Sequence, residues 1–287
     1  MYQKIITMTA YKRPEYTKKV LDNLQQCIGF EEYTLLPTIE PGFPEVIELF
    51  SNIPNCEIMI NDTRLGCDAN TLKALKRGFE ISDFVIHLED DTVPGIDSLK
   101  YFEWADKAYK DDKEIFSVTA YNRLRDINKI ETQNYFTSYR QRWYTGWFWG
   151  SWFDRFEEMS KRWNFVSWDV NLNKKVRGKR YEICPSVPRS QNIGEYSGTN
   201  VRPNFWKKYH YSPFWINNIL NSSNISSPMS SPVSSDFSDI ISNNLNLIYT
   251  ETTEPTNNLY LQEEMQAETE KLMLIGILIG STYLVFG

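Results

Sequence analysis

The sequence lacks the residue groups that mark several common kinds of functional site. Its two histidines, His87 and His210, offer no catalytic triad, and His87 falls inside an apolar run, which favours a packed or hydrogen-bonded side chain. The cysteines show no CxxC spacing, so the pattern indicates neither a zinc site nor a disulfide framework. We interpret them as reduced packing residues: Cys27, Cys56, Cys67 and Cys184.

An excess of positive charge is also absent, because acidic residues outnumber basic ones. The formal net charge is -6, which argues against nucleic-acid binding because that function requires a basic face. A small anion held through a metal ion is a more suitable partner. The first residues lack a basic segment followed by an apolar core, so we expect no N-terminal signal or anchor and a cytoplasmic catalytic domain.

What the sequence does contain is an alternation of strand and helix patterns over its first part. Strands are predicted near residues 2–9, 34–38, 57–61, 84–88 and 115–120, and helices over 14–26, 70–79 and 96–109. This order predicts an α/β fold with a mostly parallel, Rossmann-like sheet, right-handed crossovers and flanking helices.

Three acidic residues follow the apolar run 84–88 directly: Glu89, Asp90 and Asp91. A buried strand that ends in carboxylates is one way in which α/β folds build a site for a metal ion and a diphosphate. Oxygen ligands of this type suit Mn²⁺ or Mg²⁺. The alternative is a solvated turn that caps the next helix.

An aromatic-rich stretch covers residues 135–168. Apolar residues at helical spacing within it favour a core-facing helical stripe: Phe148, Trp152, Phe156 and Met159. The remaining rings do not fit one stripe, and aromatic faces also stack against sugar rings. We therefore take Trp143 and Trp147, with Gly146 and Gly150 interleaved, as candidates for the side that faces an acceptor sugar.

The chain changes character after about residue 216. Residues 217–261 are rich in Ser and Asn and predict a linker, whereas 262–287 combine an acidic helix with an apolar tail. The tail at 272–287 would be about 24 Å long as a helix, shorter than the ~30 Å hydrocarbon core of a bilayer. It is a candidate membrane tether, with a buried terminal helix and a non-native end as alternatives. We expect a chain ending near Asn217 to fold and to keep its activity.

Three further residues carry chemistry by their position. Arg13 follows the first strand, at the sheet edge where such folds bind nucleotides, although a surface arginine is an equal alternative. Glu40 ends the second strand and could accept hydrogen bonds from a base or a ribose; the alternative is an exposed turn acid. Asp169 lies among aromatic residues, which would desolvate its carboxylate and raise its proton affinity, as a general base requires. The alternative is that Asp169 caps the N-terminus of a helix.

In this order and spacing, the segments resemble GT-A glycosyltransferases, and more narrowly the N-acetylglucosaminyltransferase I family, which includes α-1,3-mannosyl-glycoprotein 2-β-N-acetylglucosaminyltransferase. The resemblance covers roughly residues 3–200 and rests on the following segments: Arg13-Pro14, Glu40-Pro41-Gly42, residues 61–70, Glu89-Asp90-Asp91, residues 116–122, Gly146-Trp147-Phe148, Trp168-Asp169 and Arg189-Ser190-Gln191-Asn192-Ile193-Gly194.

The resemblance implies roles that the residues alone do not establish. Asp91 would contact the metal ion, Glu89 and Asp90 would serve the sugar and ribose of the donor, and Asp169 would be the catalytic base. Arg13 and Glu40 would hold the nucleotide. Arg189 and Ser190 would belong to a loop at 188–198 that folds over the donor and is mobile without it.

Two departures from the family pattern concern the acceptor more than the reaction. Glu40 stands where the family has Asp, and Val170 follows Asp169 in place of a second acid. As a third departure, we expect the N-terminus to lack the family's membrane anchor and stem. The resemblance implies an inverting, metal-dependent transfer of GlcNAc from UDP-GlcNAc to a hydroxyl of a glycan or glycoprotein.

The same features leave two other functions open. A sugar-phosphate nucleotidyltransferase uses a similar sheet, but it would carry a Gly-rich phosphate loop after the first strand, where residues 9–13 have none. A catalytically inactive GT-A module that binds glycans or serves as a scaffold is the non-enzymatic alternative. For an active enzyme, the chain divides into a nucleotide-sugar half at 1–121, an acceptor and lid region at 122–216 of the same domain, and the linker and tail.

Overall fold

A computed structural model describes residues 3–124 and 136–195, with shorter stretches at 204, 206–207, 210–212, 215–217 and 249–251. Most of the predicted linker at 217–261 and all of the predicted tail at 262–287 lie outside the described residues, as does the end of the predicted lid loop at 196–198. Within the described part of the chain, no helix is both long enough and apolar enough to cross a membrane.

The first part of the chain follows the predicted alternation. Its elements are β1 (Lys4–Ala10), α1 (Pro14–Leu24), β2 (Tyr33–Ile39), α2 (Pro44–Phe50), β3 (Met59–Ile60), α3 (Cys67–Phe79) and β4 (Phe84–Glu89). Strands β1 and β2, β1 and β4, and β2 and β3 are parallel. The carboxyl ends of the longer strands therefore meet at one edge of the sheet. Arg13 and Glu40 follow β1 and β2 there, and the acidic triplet begins with the last residue of β4.

The second part adds strands on the other side of β4. Its elements are β5 (Thr92–Pro94), α4 (Ser98–Tyr109), β6 (Ile115–Thr119), β7 (Thr137–Gln141), β8 (Phe148–Trp152), α5 (Phe153–Lys161), α6 (Trp168–Asn171), a π-helical turn (Leu172–Val176), β9 (Tyr181–Pro185), β10 (Ser190–Asn192) and β11 (Thr250–Glu251).

These strands form one large sheet and one small one. The large sheet has nine strands in the order β11-β7-β9-β6-β8-β4-β1-β2-β3, and most neighbouring pairs are parallel. Strand β8 lies between β4 and β6 and is antiparallel to both. Strands β5 and β10 form a separate antiparallel pair. The prediction of a mainly parallel α/β sheet flanked by helices is confirmed.

Each face of the large sheet buries its own apolar layer. One layer receives the apolar sides of α1, α2 and α4 and includes Val20, Leu24, Phe50, Leu99 and Phe102. The opposite layer receives α3, α5 and α6 and includes Leu72, Leu75, Phe79, Phe156 and Trp168. Helices on both faces cover the sheet, as expected for a sheet with parallel crossovers.

The four residues predicted to form a core-facing helical stripe are all buried, but the prediction that they lie on one helix is wrong. Phe148 and Trp152 lie on strand β8 and pack in the first layer, whereas Phe156 and Met159 lie on α5 and pack in the second. Residues four apart share a face in a strand as well as in a helix, so the spacing alone could not separate the two.

Candidate active site

The acid cluster, Glu89, Asp90 and Asp91, lies at the carboxyl edge of the sheet and is held by one arginine. Arg13, in the turn between β1 and α1, donates from Nη1 to Asp91 Oδ2 over 2.8 Å and from Nη2 to Asp90 Oδ1. The exposed fractions of the side chains are only 18% for Arg13, 7% for Asp90 and 12% for Asp91. The structure therefore brings these predicted residues together in a largely desolvated ion network.

The acid cluster carries more negative charge than Arg13 can neutralise. Burial raises the pKa of Asp90 to about 6 even though Arg13 opposes the shift. Burial and then the charge of Asp91 raise the pKa of Glu89 well above its usual value. Burial alone would lower the pKa of Arg13, but the charges of Asp91 and Asp90 outweigh it and raise that pKa. An additional cation at this position would relieve the repulsion between the carboxylates.

Glu40 holds the loop that precedes α3. Its carboxylate, buried at the end of β2, accepts from Leu65 N at 3.0 Å and Gly66 N at 2.7 Å, and from Asn61 Nδ2 at 3.0 Å. Gly66 has φ of +82°, a conformation that other residues rarely adopt, and α3 begins immediately after it. Glu40 is therefore a buried residue that fixes this loop, and not an exposed turn acid.

Residues that the sequence analysis did not single out form an aromatic step beside the acid cluster. The rings of Tyr11 and Phe43 meet edge to face at 5.0 Å, and the Arg64 guanidinium lies 4.8 Å from the centre of the Tyr11 ring. Tyr11 N also donates to Asp90 Oδ2 at 3.3 Å. Tyr11 and Phe43 follow β1 and β2 within a few residues, so the argument that selected Arg13 and Glu40 could have found them.

Asp169 occupies the first turn of the short helix α6. Ser167 precedes this helix at the capping position, and Asp169 is its second residue. Trp168 N donates to Asp68 Oδ1 at 2.8 Å, and Trp163 Nε1 donates to Asp68 O at 2.9 Å. Asp68, at the start of α3, thus fixes the position of α6. It thereby also fixes Asp169, which is exposed to solvent in the first turn of α6.

The electrostatic surroundings of Asp169 favour its protonated form. Although its side chain reaches solvent, the protein around it raises the pKa of the carboxyl by desolvation, with a smaller contribution from the charge of Asp68. The backbone N–H groups of Val170 and Asp169 oppose this shift. The charge of Asp169 in turn raises the pKa of Glu89, so the two carboxyls lie within electrostatic reach of each other.

A layer of aromatic rings supports α6 from behind. The ring of Trp168 stacks on Trp163 with centroids 5.0 Å apart and planes inclined by only 7°. A Cβ atom added to Gly146 would lie 2.8 Å from Cη2 of Trp168, so only glycine fits there without displacement of the ring. The loop that contains Gly146 and the helix that carries Asp169 are therefore in direct contact.

Glu182 on β9 holds the same loop from beneath. It is fully buried and accepts hydrogen bonds from Ser117 Oγ at 2.9 Å, Gln141 Nε2 at 2.7 Å and Thr145 N at 3.0 Å. Burial raises its pKa to about 8, although all of these donors act to lower it. The backbone beside Gly146 is thus tied to the centre of the sheet.

The two tryptophans predicted on the acceptor side share the loop that leads into β8. Both are partly exposed. Trp147 O accepts from Glu89 N at 3.1 Å, which places this residue next to the acid cluster. Its ring lies between Tyr121 at 4.5 Å and His210 at 4.4 Å. The structure thus brings Trp147 to the site.

Arg189 and Ser190 do not extend to the acid cluster. Arg189 is fully buried, donates from Nε to Asp97 Oδ2 at 3.2 Å and from Nη1 to Val187 O at 2.7 Å. Ser190 is buried in β10 opposite Pro94. We therefore do not retain these two residues as donor ligands.

Residues two to four positions further along reach the acid cluster instead. Asn192 Nδ2 lies 3.4 Å from Asp91 Oδ1, and Ile193 N donates to Asp91 O at 2.7 Å. A Cβ on Gly194 would lie 2.6 Å from Asp91 Oδ2, so glycine permits a close approach here. Among the described residues of the predicted loop, 188–195, those at 192–194 approach Asp91.

The acid cluster is not a complete protein cage for a cation. Within residues 3–124, 136–195 and the short described stretches beyond them, no group of three or more His, Cys, Asp or Glu side chains could hold a metal ion. The available ligands are carboxylate oxygens, which suit hard divalent ions that complete their shell with water or phosphate oxygens. A cation here would therefore share its coordination with a ligand.

Comparisons with known proteins agree with this geometry. The model of the GNT-I family matches residues 70–220, which is just over half of the 287 residues. No curated protein sequence matches the chain.

Solved structures also match the chain. The crystal structure of S. aureus TarS 1-349 matches with a TM-score of 0.50 and 11% identity, over 65% of this chain and 59% of that one. A longer TarS structure gives a TM-score of 0.50 and 11% identity, over 67% and 37%. The mannosyltransferase PcManGT from Pyrobaculum calidifontis, solved with GDP-Man and Mn²⁺, has a TM-score of only 0.43 at 14% identity, over 66% and 58%, and supports no conclusion.

The protein spans less than two thirds of the length of each of these solved chains. At such low identity the TarS similarity establishes the fold alone, which is GT-A. The matched family region contains the acid cluster, the loop with Gly146 and the helix with Asp169. The chain therefore belongs to the GNT-I family of glycosyltransferases.

Proposed function

We propose that the protein is an inverting, metal-dependent glycosyltransferase that moves GlcNAc from UDP-GlcNAc to a hydroxyl of a glycan or glycoprotein. The observation that carries this proposal is that two acidic groups lie within electrostatic reach of each other at the carboxyl edge of the sheet. One is the acid cluster with Arg13, and the other is Asp169, whose charge raises the pKa of Glu89. A transferase requires one polar group that binds the donor and another that acts on the acceptor, and these two acidic groups would fill those two roles.

The donor side would lie between Arg13, the aromatic step and the acid cluster. The guanidinium of Arg13 supplies charge-assisted hydrogen bonds for a diphosphate. The rings of Tyr11 and Phe43 offer flat apolar surfaces beside it, which suit a nucleobase. Glu40 acts indirectly, because its carboxylate holds the loop at residues 61–66 in place for this pocket.

The residues present fit a divalent cation that is bound together with the donor. Asp91 would hold Mn²⁺ or Mg²⁺, and the ion would supply positive charge near the leaving diphosphate. Asp91 already bonds Arg13 and Asn192, so Arg13 must release part of its contact when the donor binds. We therefore expect weak cation binding without a nucleotide and much tighter binding with one.

Asp169 would accept the proton of the acceptor hydroxyl. A base that works near neutral pH benefits from a raised pKa, and desolvation raises that of Asp169. Its side chain also reaches solvent, so an acceptor can approach it. Trp147, beside the acid cluster, and Trp143 on the same loop are the proposed sugar-facing rings on the acceptor side.

A nucleotidyltransferase is less suitable because the turn after β1 has no Gly-rich phosphate loop. In this turn the Tyr11 ring packs on Phe43, and the Arg13 guanidinium bonds Asp91. A catalytically inactive module would have no need for a carboxyl with raised pKa beside the donor pocket. The enzymatic proposal therefore accounts for more of the site.

The proposal is tested by measuring UDP release from a panel of UDP-sugars, with Mn²⁺ or with EDTA, in the presence of glycan acceptors. We expect turnover of UDP-GlcNAc that requires the cation. The Asp169→Asn variant should lose transfer by about 10²- to 10⁴-fold and bind UDP-GlcNAc as tightly as the unchanged protein in calorimetry. Absence of turnover with every donor would refute the proposal, and loss of donor binding in Asp169→Asn would make Asp169 a structural residue.

A further inference from the structure

Within the Ser- and Asn-rich region at 217–261, the structure describes residues 249–251 as well as Asn217, and the segment 249–251 packs against the body of the fold. Strand β11 extends the sheet by pairing with β7, and Glu251 forms an ion pair with Arg140 and accepts from Tyr109 OH at 3.1 Å. Tyr249 is buried, with a relative exposure of 5%. A residue so distant in sequence has thus become part of the core.

Tyr249 inserts its ring between aromatic side chains and its hydroxyl into a buried ion pair. The ring centroid lies 5.6 Å from that of Tyr101 and 5.4 Å from that of Trp104. The hydroxyl donates to Asp97 Oδ2 at 3.1 Å, and the same oxygen accepts from Arg189 Nε at 3.2 Å. Asp97 and Arg189 are both fully enclosed, so their pairing has no help from solvent.

The buried pair is connected directly to the strand that contacts the acid cluster. Arg189 N donates to Ala120 O at 2.7 Å, and Gly95 N donates to Arg189 O at 2.6 Å. The next residues of the chain form β10, which pairs with β5 and brings Asn192 and Ile193 to Asp91. The conformation of Arg189 therefore determines how β10 lies on the residue proposed to hold the cation.

We propose that Tyr249 is a positioning residue: by fixing the Asp97–Arg189 pair, it holds β10 against Asp91. The link to catalysis rests on the proposed function, but the structural link does not. A buried pair needs additional partners to offset its desolvation. The hydroxyl of Tyr249 supplies a hydrogen bond to Asp97, and its ring lies 5.5 Å from the guanidinium carbon of Arg189. A chain that ends near residue 217 lacks Tyr249, so we no longer expect it to keep full activity.

The first measurement is hydrogen exchange at the backbone amides of residues 191–193 in the full-length protein without ligand. Tyr249→Phe removes only the hydroxyl and should speed exchange there by about tenfold. Tyr249→Ala also removes the ring and should speed it further. Val46→Ala, which empties a buried position on α2, serves as the control for general destabilisation. Equal exchange at these amides in Tyr249→Phe and in the unchanged protein would overturn the proposal.

The second measurement is the binding of UDP with Mn²⁺ by calorimetry, together with kcat and KM. Tyr249→Phe should raise the dissociation constant for UDP by about the same factor as it raises the exchange rate, with kcat little changed. Val46→Ala should bind UDP normally. If the unchanged protein binds UDP and Tyr249→Phe binds it equally well, the link from Tyr249 to Asp91 is refuted. If the unchanged protein binds no UDP-sugar, the proposed function fails, and hydrogen exchange alone decides the role of Tyr249.

Discussion

Substitution of Gly146 with Ala should slow catalysis even though the added methyl group contacts neither substrate. The added methyl group would lie 2.8 Å from Cη2 and 3.2 Å from Cζ2 of Trp168. Carbon atoms prefer separations of about 3.5–4.0 Å, so the ring and the loop must separate by roughly 0.8 Å. The ring cannot move alone, because it stacks on Trp163, and Trp168 N is bound to Asp68. The displacement therefore passes to α6 and to Asp169.

The size of the effect follows from this displacement. A shift of about 1 Å in a catalytic group can cost about a hundredfold in rate, so we expect kcat to fall by between about tenfold and a hundredfold. Overpacking of a core costs about 1–3 kcal/mol, and the unfolding temperature should fall by a few degrees, on the order of 2–4 °C per kcal/mol. Affinity for UDP-GlcNAc should fall much less than kcat, because Arg13 and Asp91 are not on the loop that contains Gly146.

A matched control is available on the strand that follows. A Cβ on Gly150 would lie 2.6 Å from Cζ of Phe84, so Gly150→Ala also overpacks the core, but against β4 and not against α6. Both variants should unfold at lower temperature, and only Gly146→Ala should show a large loss in kcat. Equal kcat in the two variants, at equal loss of stability, would show that the contact with Trp168 does not position Asp169.

Two further predictions concern charged groups. Asp91→Asn should lower turnover on the order of a thousandfold, and EDTA should do the same to the unchanged protein. As a control, Asp22→Asn on the exposed part of α1 should leave turnover unchanged. Full activity of Asp91→Asn would exclude the proposed cation site. Because burial raises the pKa of Glu182 from 4.5 to about 8 in the native state, the folded protein retains a proton that the unfolded chain releases, so the free energy of unfolding should fall as pH rises through this window. In thermal unfolding measured across this pH range, Glu182→Gln should lose less stability than the unchanged protein. Identical pH profiles of the variant and the unchanged protein would contradict the raised pKa of Glu182.

The sequence predicts the elements of the donor half well because each has a strong local signal. Strands β1, β2 and β4 are apolar runs that end in polar residues, and their helices carry apolar faces at regular spacing. Helix α2 was missed because it is short, although Pro44 at its start and Glu45 in its first turn are typical of a helix N-terminus. Helix α3 begins three residues earlier than predicted, directly after Gly66.

The rest could not be predicted because it depends on contacts between distant residues. Nothing near Arg189 in the sequence indicates that its guanidinium is enclosed by Asp97 and by the rings of Tyr101 and Tyr249. Its role as a donor ligand was only what the family resemblance implied. Glu40 presented the same difficulty, because the partners of its carboxylate lie 21 to 26 residues further along the chain.

The insertion of β8 between β4 and β6 has a consequence for synthesis of the protein on the ribosome. Strand β4, which leads to the acid cluster, has β1 on one side, but its other side pairs with residues that are made only when the chain reaches Trp152. Until then, β4 presents an unpaired and strongly apolar edge of the kind that associates with other chains. Nascent chains that stall near residue 121 should therefore depend on chaperones, and the two halves of the site cannot mature independently.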